Sequence, residues 1–453
     1  MRTNRSSPYD DEGPQTMQAV KFLLDPTRLT EEQVSQFSLV KHLMTQRCRA
    51  HLFDLNLASS ISAGYTPDID TVIKRGIKEP IVANANRTLL DVERVRQEDK
   101  IRANAKQVEW QVKASELYHR ELKKDIEIQL TERPLHAIGR ALPDLIDTLY
   151  HPNVDYKKLV NAIGQSDILT DGVLKFIVKE QRSGKYSKID VGKQSMQAII
   201  GQLGKSTLDD LLPLLLVQQF TEVDYDVKRS ASENRFKRLL SYNVSYAIGI
   251  LNTLGKDHPT RRIGGLLGVL DVLCSVVVYR LFCERQDDVR VRLMDTWRSQ
   301  SQHTLHTAIQ SVDVNFNVLS IWINCFKEKI QDILIHQINW THIRPLRRAL
   351  EEHQENTPLH ERSQLGVIMN HSYQFAQFKA LADNKLASKS LITQYFYGSY
   401  IPNDLSRLLL SSSTMEFVAK TYTAHKSIIL KFKSDWLQET SSTFLKDYNS
   451  VKN

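Results

Sequence analysis

Between Leu130 and Leu216 apolar residues return at helical spacing four times in succession. Leu142, Leu145, Ile146 and Leu149 stand at i, i+3, i+4 and i+7, and Tyr156, Leu159, Val160 and Ile163 repeat the pattern. Leu169, Val173, Phe176 and Ile177 follow, then Met196, Ile199, Ile200 and Leu203. Each stripe gives its segment one apolar face that must be buried against a neighbour. The punctuation between them agrees. Pro134 cannot continue the helix before it, and it disfavours helical backbone at Arg133. His151-Pro152-Asn153 is a turn, Asp155 and Ser166 are N-caps, and Arg182-Ser183-Gly184-Lys185 opens a loop. Gly204 ends one helix ahead of another, in whose first turn Asp209 and Asp210 would complement the helix dipole. The pattern predicts an all-α fold built around a multi-helix bundle.

The flanks read as helical extensions. Thr16 to Ala63 is patterned as helix, with Thr30-Glu31-Glu32-Gln33 resembling a capping box, and Gly64 to Asp68 is a break. Ile81 to Leu130 is long, charged and free of Gly and Pro. Its stripe of Ile101, Ala105, Val108 and Val112 predicts a partly exposed helix suited to homo-oligomer formation. Two strongly apolar helices are expected over 235–254 and 263–282, with less sharply patterned helices after 346. The resulting division is a disordered tail over 1–18, a helical region over 19–129, a central domain over 130–345, and a C-terminal helical region over 346–453.

Composition narrows the function classes more than it selects one. The chain has 453 residues, 41% hydrophobic and 25% charged, and its 17 Gly and 13 Pro are few for an all-β fold. A net charge of +8 is mild over this length, and the short Arg235, Lys237, Arg238 cluster is a candidate interaction patch; nucleic acid is not an expected partner. The four Cys form no C-x-x-C pair, so neither a zinc site nor a disulfide framework is expected. Met1 to Gln15 is polar, and the expected compartment is the reducing cytoplasm. Ile263 to Tyr279 is apolar enough to suggest a membrane span. Asp271 near its middle would cost about 2.5–3.5 kcal/mol there, so a buried core helix is expected, with no membrane span.

The order of the punctuation resembles the HDOD domain, the HD-related output domain of bacterial signalling proteins, over residues of about 130 to 345. Leu130 to Pro134 stands at that family's opening turn, and His151-Pro152-Asn153 at its next one. Ser166-Asp167-Ile168-Leu169-Thr170 takes the place of Asp-Pro-x-Leu-Thr, and Ile199 to Gly204 that of Ala-Ile-x-x-Leu-Gly. Gly265-Leu266-Leu267-Gly268-Val269-Leu270-Asp271 resembles Gly-Leu-Leu-His-Asp-Ile-Gly, with Gly268 and Val269 where metal-binding relatives hold His and Asp. Leu240 likewise stands where a His often precedes Ser, and Lys179-Glu180-Gln181 replaces the usual Asn-Ser-Ala. The resemblance implies a helical, regulatory module.

Metal chemistry needs lone pairs near 2 Å from the ion, which Gly268 and Val269 do not offer. The sequence contains no His-Asp dipeptide, only the reverse at Asp257-His258 in a predicted surface turn. His303 and His306 sit at helical spacing but lack a carboxylate pattern around them, and His353 and His360 read as background. No phosphate-binding Gly loop and no Gly-x-Ser-x-Gly elbow is present. Asp271 is the lone ionisable group of its apolar run and the candidate functional carboxylate. The expected function is therefore non-catalytic. The protein would regulate by binding a signalling protein or a small signalling ligand, with no cofactor and no metal. The alternative expectation is a metal-dependent phosphohydrolase of the HD superfamily using ligands such as His303 and His306.

Overall fold

The most apolar stretch of the sequence becomes the central helix. The computed structural model describes residues 31–53, 91–153, 155–164, 166–182, 186–219, 227–253, 262–312, 315–358 and 361–387, with single positions at 58, 61, 73, 184 and 395. Among the described residues every regular element is helical. In chain order they are α1 (Glu31–Phe53), α2 (Asp91–Glu132), α3 (Pro134–Ile138), α4 (Ala141–Tyr150), α5 (Tyr156–Gly164), α6 (Asp167–Gln181), α7 (Met196–Leu203) and α8 (Lys205–Gln219). The longer α9 (Val227–Thr253) and α10 (Gly264–Ser299) follow, then α11 (His303–Gln310), α12 (Leu319–Gln337), α13 (Arg344–Gln354) and α14 (Gln364–Asp383). The expected tail, the break at Gly64 to Asp68, the Asp257-His258 turn, His360 and the chain after 395 lie outside the described residues.

The short-helix array follows its local signals. Asp155 Oδ1 accepts from the backbone N–H of Lys157 and Lys158 at 2.9 and 3.3 Å, and Ser166 Oγ accepts from Leu169 N at 3.4 Å. Gly204 ends α7 at φ 76°, a backbone angle glycine adopts without steric cost. Pro134 opens α3, where its missing N–H has no intrahelical partner to lose. The predicted stripes are buried: Leu142, Leu145, Ile146 and Leu149 in α4, Leu169, Val173 and Ile177 in α6, and Ile199, Ile200 and Leu203 in α7. Asp209 departs from expectation. It is buried beyond the first turn of α8 and bonded to Arg262 Nε at 2.9 Å, so a charged partner holds it rather than the helix dipole.

Two long helices also depart from the pattern read off the sequence. In α2 the expected stripe is not the one buried: Ala105 is exposed and Val108 and Val112 are half-buried. Burial begins with Ala114 and runs through Tyr118, Leu122, Ile126 and Leu130, a spacing of four that faces α10 and α11. The central α10 extends well past Phe282, because Val289, Leu293 and Trp297 continue an apolar edge among charged residues with no Gly or Pro to stop it.

α10 packs against α8, α9, α2, α12 and α14, and one hydrophobic core runs from Leu43 to Tyr395 through it. The contact with α9 is the tightest. A Cβ on Gly268 would lie 2.5 Å from Val244 Cα, and one on Gly264 would lie 3.1 Å from Ile248 Cα. Glycine at these two successive turns is what lets the backbones approach. Among the described residues α10 is the one helix long and apolar enough to cross a membrane, and 89% of its most apolar window is buried inside the fold.

Candidate functional site

The residues singled out on α10 have separate fates. Gly268 faces the α9 backbone, where even a β-carbon would collide with Val244 Cα and approach Asn243 O to 3.0 Å. Val269 is fully buried and helps to line a small apolar pocket with Leu145, Leu149, Pro213 and Leu266. A metal ligand has no room at the first position and no polar surroundings at the second. Leu240 is likewise buried in the core.

Asp271 enters a buried ionic centre assembled from five helices. Its side chain is 2% exposed, and Oδ1 lies 3.2 Å from His353 Nε2 of α13. Lys327 of α12 brings its Nζ to 2.9 Å from the same imidazole nitrogen. Lys41 and Arg49 come from α1, and Arg362 stands just before α14. His371 and Tyr373 of α14 complete the surroundings, the first fully buried and the second half-buried. The Asp271 carboxyl is sealed from solvent, and Lys41, Lys327, His353 and Arg362 around it are half-buried.

The hydrogen-bond inventory at the centre does not close. A neutral imidazole nitrogen carries either a lone pair or a hydrogen. If His353 Nε2 accepts from Lys327 it cannot also donate to Asp271. Asp271 Oδ2 and His353 Nδ1 are buried without a hydrogen-bond partner, as are Arg362 Nη1 and Arg49 Nε. Arg362 uses its Nε on Thr357 O at 2.7 Å, and Arg49 donates from Nη1 to Asn324 Oδ1. Buried polar groups are ordinarily paired, so these four atoms are exceptions.

Lys327 and Arg362 act on Asp271, Arg362 also on Glu352, and Lys41 and Arg49 lie near His353. Glu352 is already occupied: it accepts from Ser363 N at 2.8 Å, Ser363 Oγ at 2.7 Å and Arg348 Nε at 2.9 Å. A Cβ on Gly366 would run into its Oε2, so a larger residue there would displace the Glu352 carboxylate. Burial pushes the Asp271 carboxyl up to about 7, with Lys327 and Arg362 pulling the other way. Burial first, then repulsion from Arg362 and Lys327, lowers Lys41 to about 8. Burial likewise lowers Lys327, with Asp271 opposing. His353 is held well below the ordinary histidine range by burial and then by Lys327, Arg362, Lys41 and Arg49. The imidazole is therefore neutral at pH 7, and its contact with Asp271 is a hydrogen-bonding contact rather than an ion pair.

Asp271 thus sits at a polar centre, as a candidate functional carboxylate would. His353, read from the sequence as background, is its direct partner, and Lys327, Lys41 and Arg362 were not singled out at all. The basic cluster on α9 divides: Arg238 is exposed, Lys237 is half-buried, and Arg235 is partly buried near His51, whose proton affinity burial, Arg235 and Arg238 together lower to about 4. These residues do not join the Asp271 centre. His303 and His306 open α11 at the surface, and among the described residues no group of three or more His, Cys, Asp or Glu could hold a metal ion. The sequence signal that would have found the centre is the presence of Lys327 and Glu352-His353 on the buried sides of otherwise ordinary amphipathic helices. The chain matches no protein-family model, no curated protein and no solved structure.

Proposed function

We propose that this chain is a non-catalytic regulatory protein that acts by binding, with an HDOD-like helical bundle as its core and the flanking helices as the route by which a bound state reaches a signalling partner. The observation that carries this reading is the packing at Gly268. The place where a catalytic relative would hold a metal-binding His is filled by the α9 backbone, and the adjacent Val269 faces only hydrocarbon. Phosphohydrolysis through that pair has neither the lone pairs nor the space it needs. The exposed run over 102–107 of α2, with its unburied Ala105, supports self-association as the companion proposal.

The test is an assay of the full purified chain against a cyclic dinucleotide with added manganese. The expected result is no turnover above a protein-free control. Turnover that disappears in Asp271→Asn would overturn the reading and return the protein to the phosphohydrolases.

A further inference from the structure

We infer that a cleft between α2 and α10 is a binding site for an α-amino acid with a large apolar side chain. The inference rests on the binding reading above and gives it a ligand class, from observations separate from the packing at Gly268.

The cleft encloses about 330 Å³, a size in the range of pockets that hold small ligands. α2 supplies Leu117, Arg120 and Glu121 to its walls, and α10 supplies Arg292, Leu293 and Trp297. Both walls are fastened to each other. Tyr118 of α2 donates its hydroxyl to Gln286 O of α10 at 3.1 Å, and Arg292 Nη2 donates to Asp125 Oδ1 of α2 at 2.9 Å. At the end of α10 the backbone N–H of Gln302 donates to Trp297 O at 2.7 Å, which holds that residue in place. Walls set before a ligand arrives lose little freedom when it binds.

One side of the cleft is hydrocarbon: Trp297 is buried, and Leu117 and Leu293 are half-buried. The other side carries charges of both signs whose hydrogen-bonding atoms are not engaged. Among the described residues the side chains of Arg120 and Glu121 have one polar contact, with each other, Nε to Oε1 at 3.8 Å. That distance is too long for a hydrogen bond. Both side chains reach water, at 70% and 35% exposure, so a ligand that parts them gives up a weak contact. Arg292 is oriented by Asp125 through Nη2, and its Nε and Nη1 have no partner among the described residues.

The mixed wall selects the class. A ligand with a carboxylate alone would suit the two guanidinium groups but meet Glu121. A ligand with an amine alone would suit Glu121 but meet Arg120 and Arg292. An α-amino acid carries its carboxylate and its ammonium on one carbon, a spacing that matches a guanidinium and a carboxylate on successive residues. Its carboxylate accepts from Arg120 and Arg292, and its ammonium donates to Glu121, as charge-assisted hydrogen bonds. Its side chain lies against Leu117, Leu293 and Trp297, where burial of apolar surface favours binding.

The experiment is isothermal titration of the full chain with L-phenylalanine, 3-phenylpropionate, phenethylamine and L-alanine at matched ionic strength. The expected result is saturable binding of phenylalanine, at least roughly tenfold tighter than each of the other three. Arg120→Met and Glu121→Gln are each expected to weaken phenylalanine about tenfold, and both positions reach solvent, so both variants fold. Thr296→Trp, at the exposed edge of the cleft, fills it and is expected to abolish binding. No saturable heat with phenylalanine, equal affinity for any of the other three probes, or unchanged affinity in the Arg120 and Glu121 variants would overturn the inference. Its failure and that of the regulatory reading are distinct. Turnover in the manganese assay would remove the non-catalytic reading and leave a phenylalanine titration standing, whereas a flat titration leaves the packing at Gly268 untouched.

Discussion

Asp125 and Asp271 are two carboxylates in the same core, one facing α10 and one on it, and they are built to opposite ends. Asp125 of α2 has both oxygens occupied, by Arg285 Nε at 2.7 Å and Arg292 Nη2 at 2.9 Å. Burial alone would raise its proton affinity, but the hydrogen bonds and charges of those two arginines outweigh burial and hold it below the ordinary range. Asp271 has one oxygen against an imidazole and the other bare, and burial prevails, raising it to about 7. The arginines around Asp125 also reach solvent, so their excess charge is hydrated; the Asp271 carboxyl is sealed from it. The first arrangement fastens two helices. The second leaves hydrogen-bonding capacity unspent, at Asp271 Oδ2 and His353 Nδ1.

The sharpest way to break the comparison is at Asp125. Asp125→Ala removes the acceptor for two arginines and should destabilise by about 2–3 kcal/mol, below the full cost of a sealed pair because Arg285 and Arg292 regain water. Urea unfolding at pH 7 measures it. The depressed proton affinity of Asp125 contributes stability above about pH 4, the ordinary carboxylate range, and that contribution is lost as pH falls through the lower folded value. Wild type and variant should therefore converge in strong acid.

Asp271 carries the opposite sign. Between the ordinary aspartate value of about 4 and its folded value of about 7, the native state holds a proton that the unfolded chain has released. Stability from this group is present at the acid end of that window and lost as pH rises through it. Asp271→Asn should gain in melting temperature relative to wild type between pH 5 and pH 8, with the gain complete above about 7. A difference that stays flat across the window would show that the carboxyl does not titrate there.

A smaller effect is expected at the rim. Arg348 is 68% exposed and pairs with Glu352, which keeps both of its bonds to Ser363 without it. Arg348→Ala should change unfolding free energy by less than about 1 kcal/mol. A larger loss would mean that the rim arginine, and not the Ser363 turn, fixes Glu352.

How far the sequence carried this account depends on how local each feature is. The short helices from Ala141 to Leu203 were legible because a cap, a stripe and a stop lie within a few residues of one another, as at Asp155 and Gly204. The buried stripe of α2 was misjudged because two stripes compete along that helix, and only packing against α10 selects the one containing Tyr118 and Leu122. Asp209 was assigned to a helix dipole because its partner Arg262 lies across an interval the local pattern does not span. Asp271 stood out as a charge in an apolar run. Its companions did not, since Lys41, Lys327, His353 and Arg362 each sit in segments where a polar residue is ordinary, and only the tertiary fold turns them toward one point.

The claim that separates the two carboxylates most directly is that Lys327, unlike Arg285, meets an imidazole rather than a carboxylate. Urea unfolding of Lys327→Met in chloride buffer, without phosphate, tests it. The expected variant is at least as stable as wild type, because a largely buried charge with no carboxylate in contact among the described residues is removed. A loss of stability comparable with that of Asp125→Ala would contradict it, showing that Lys327 fastens the fold as Arg285 does.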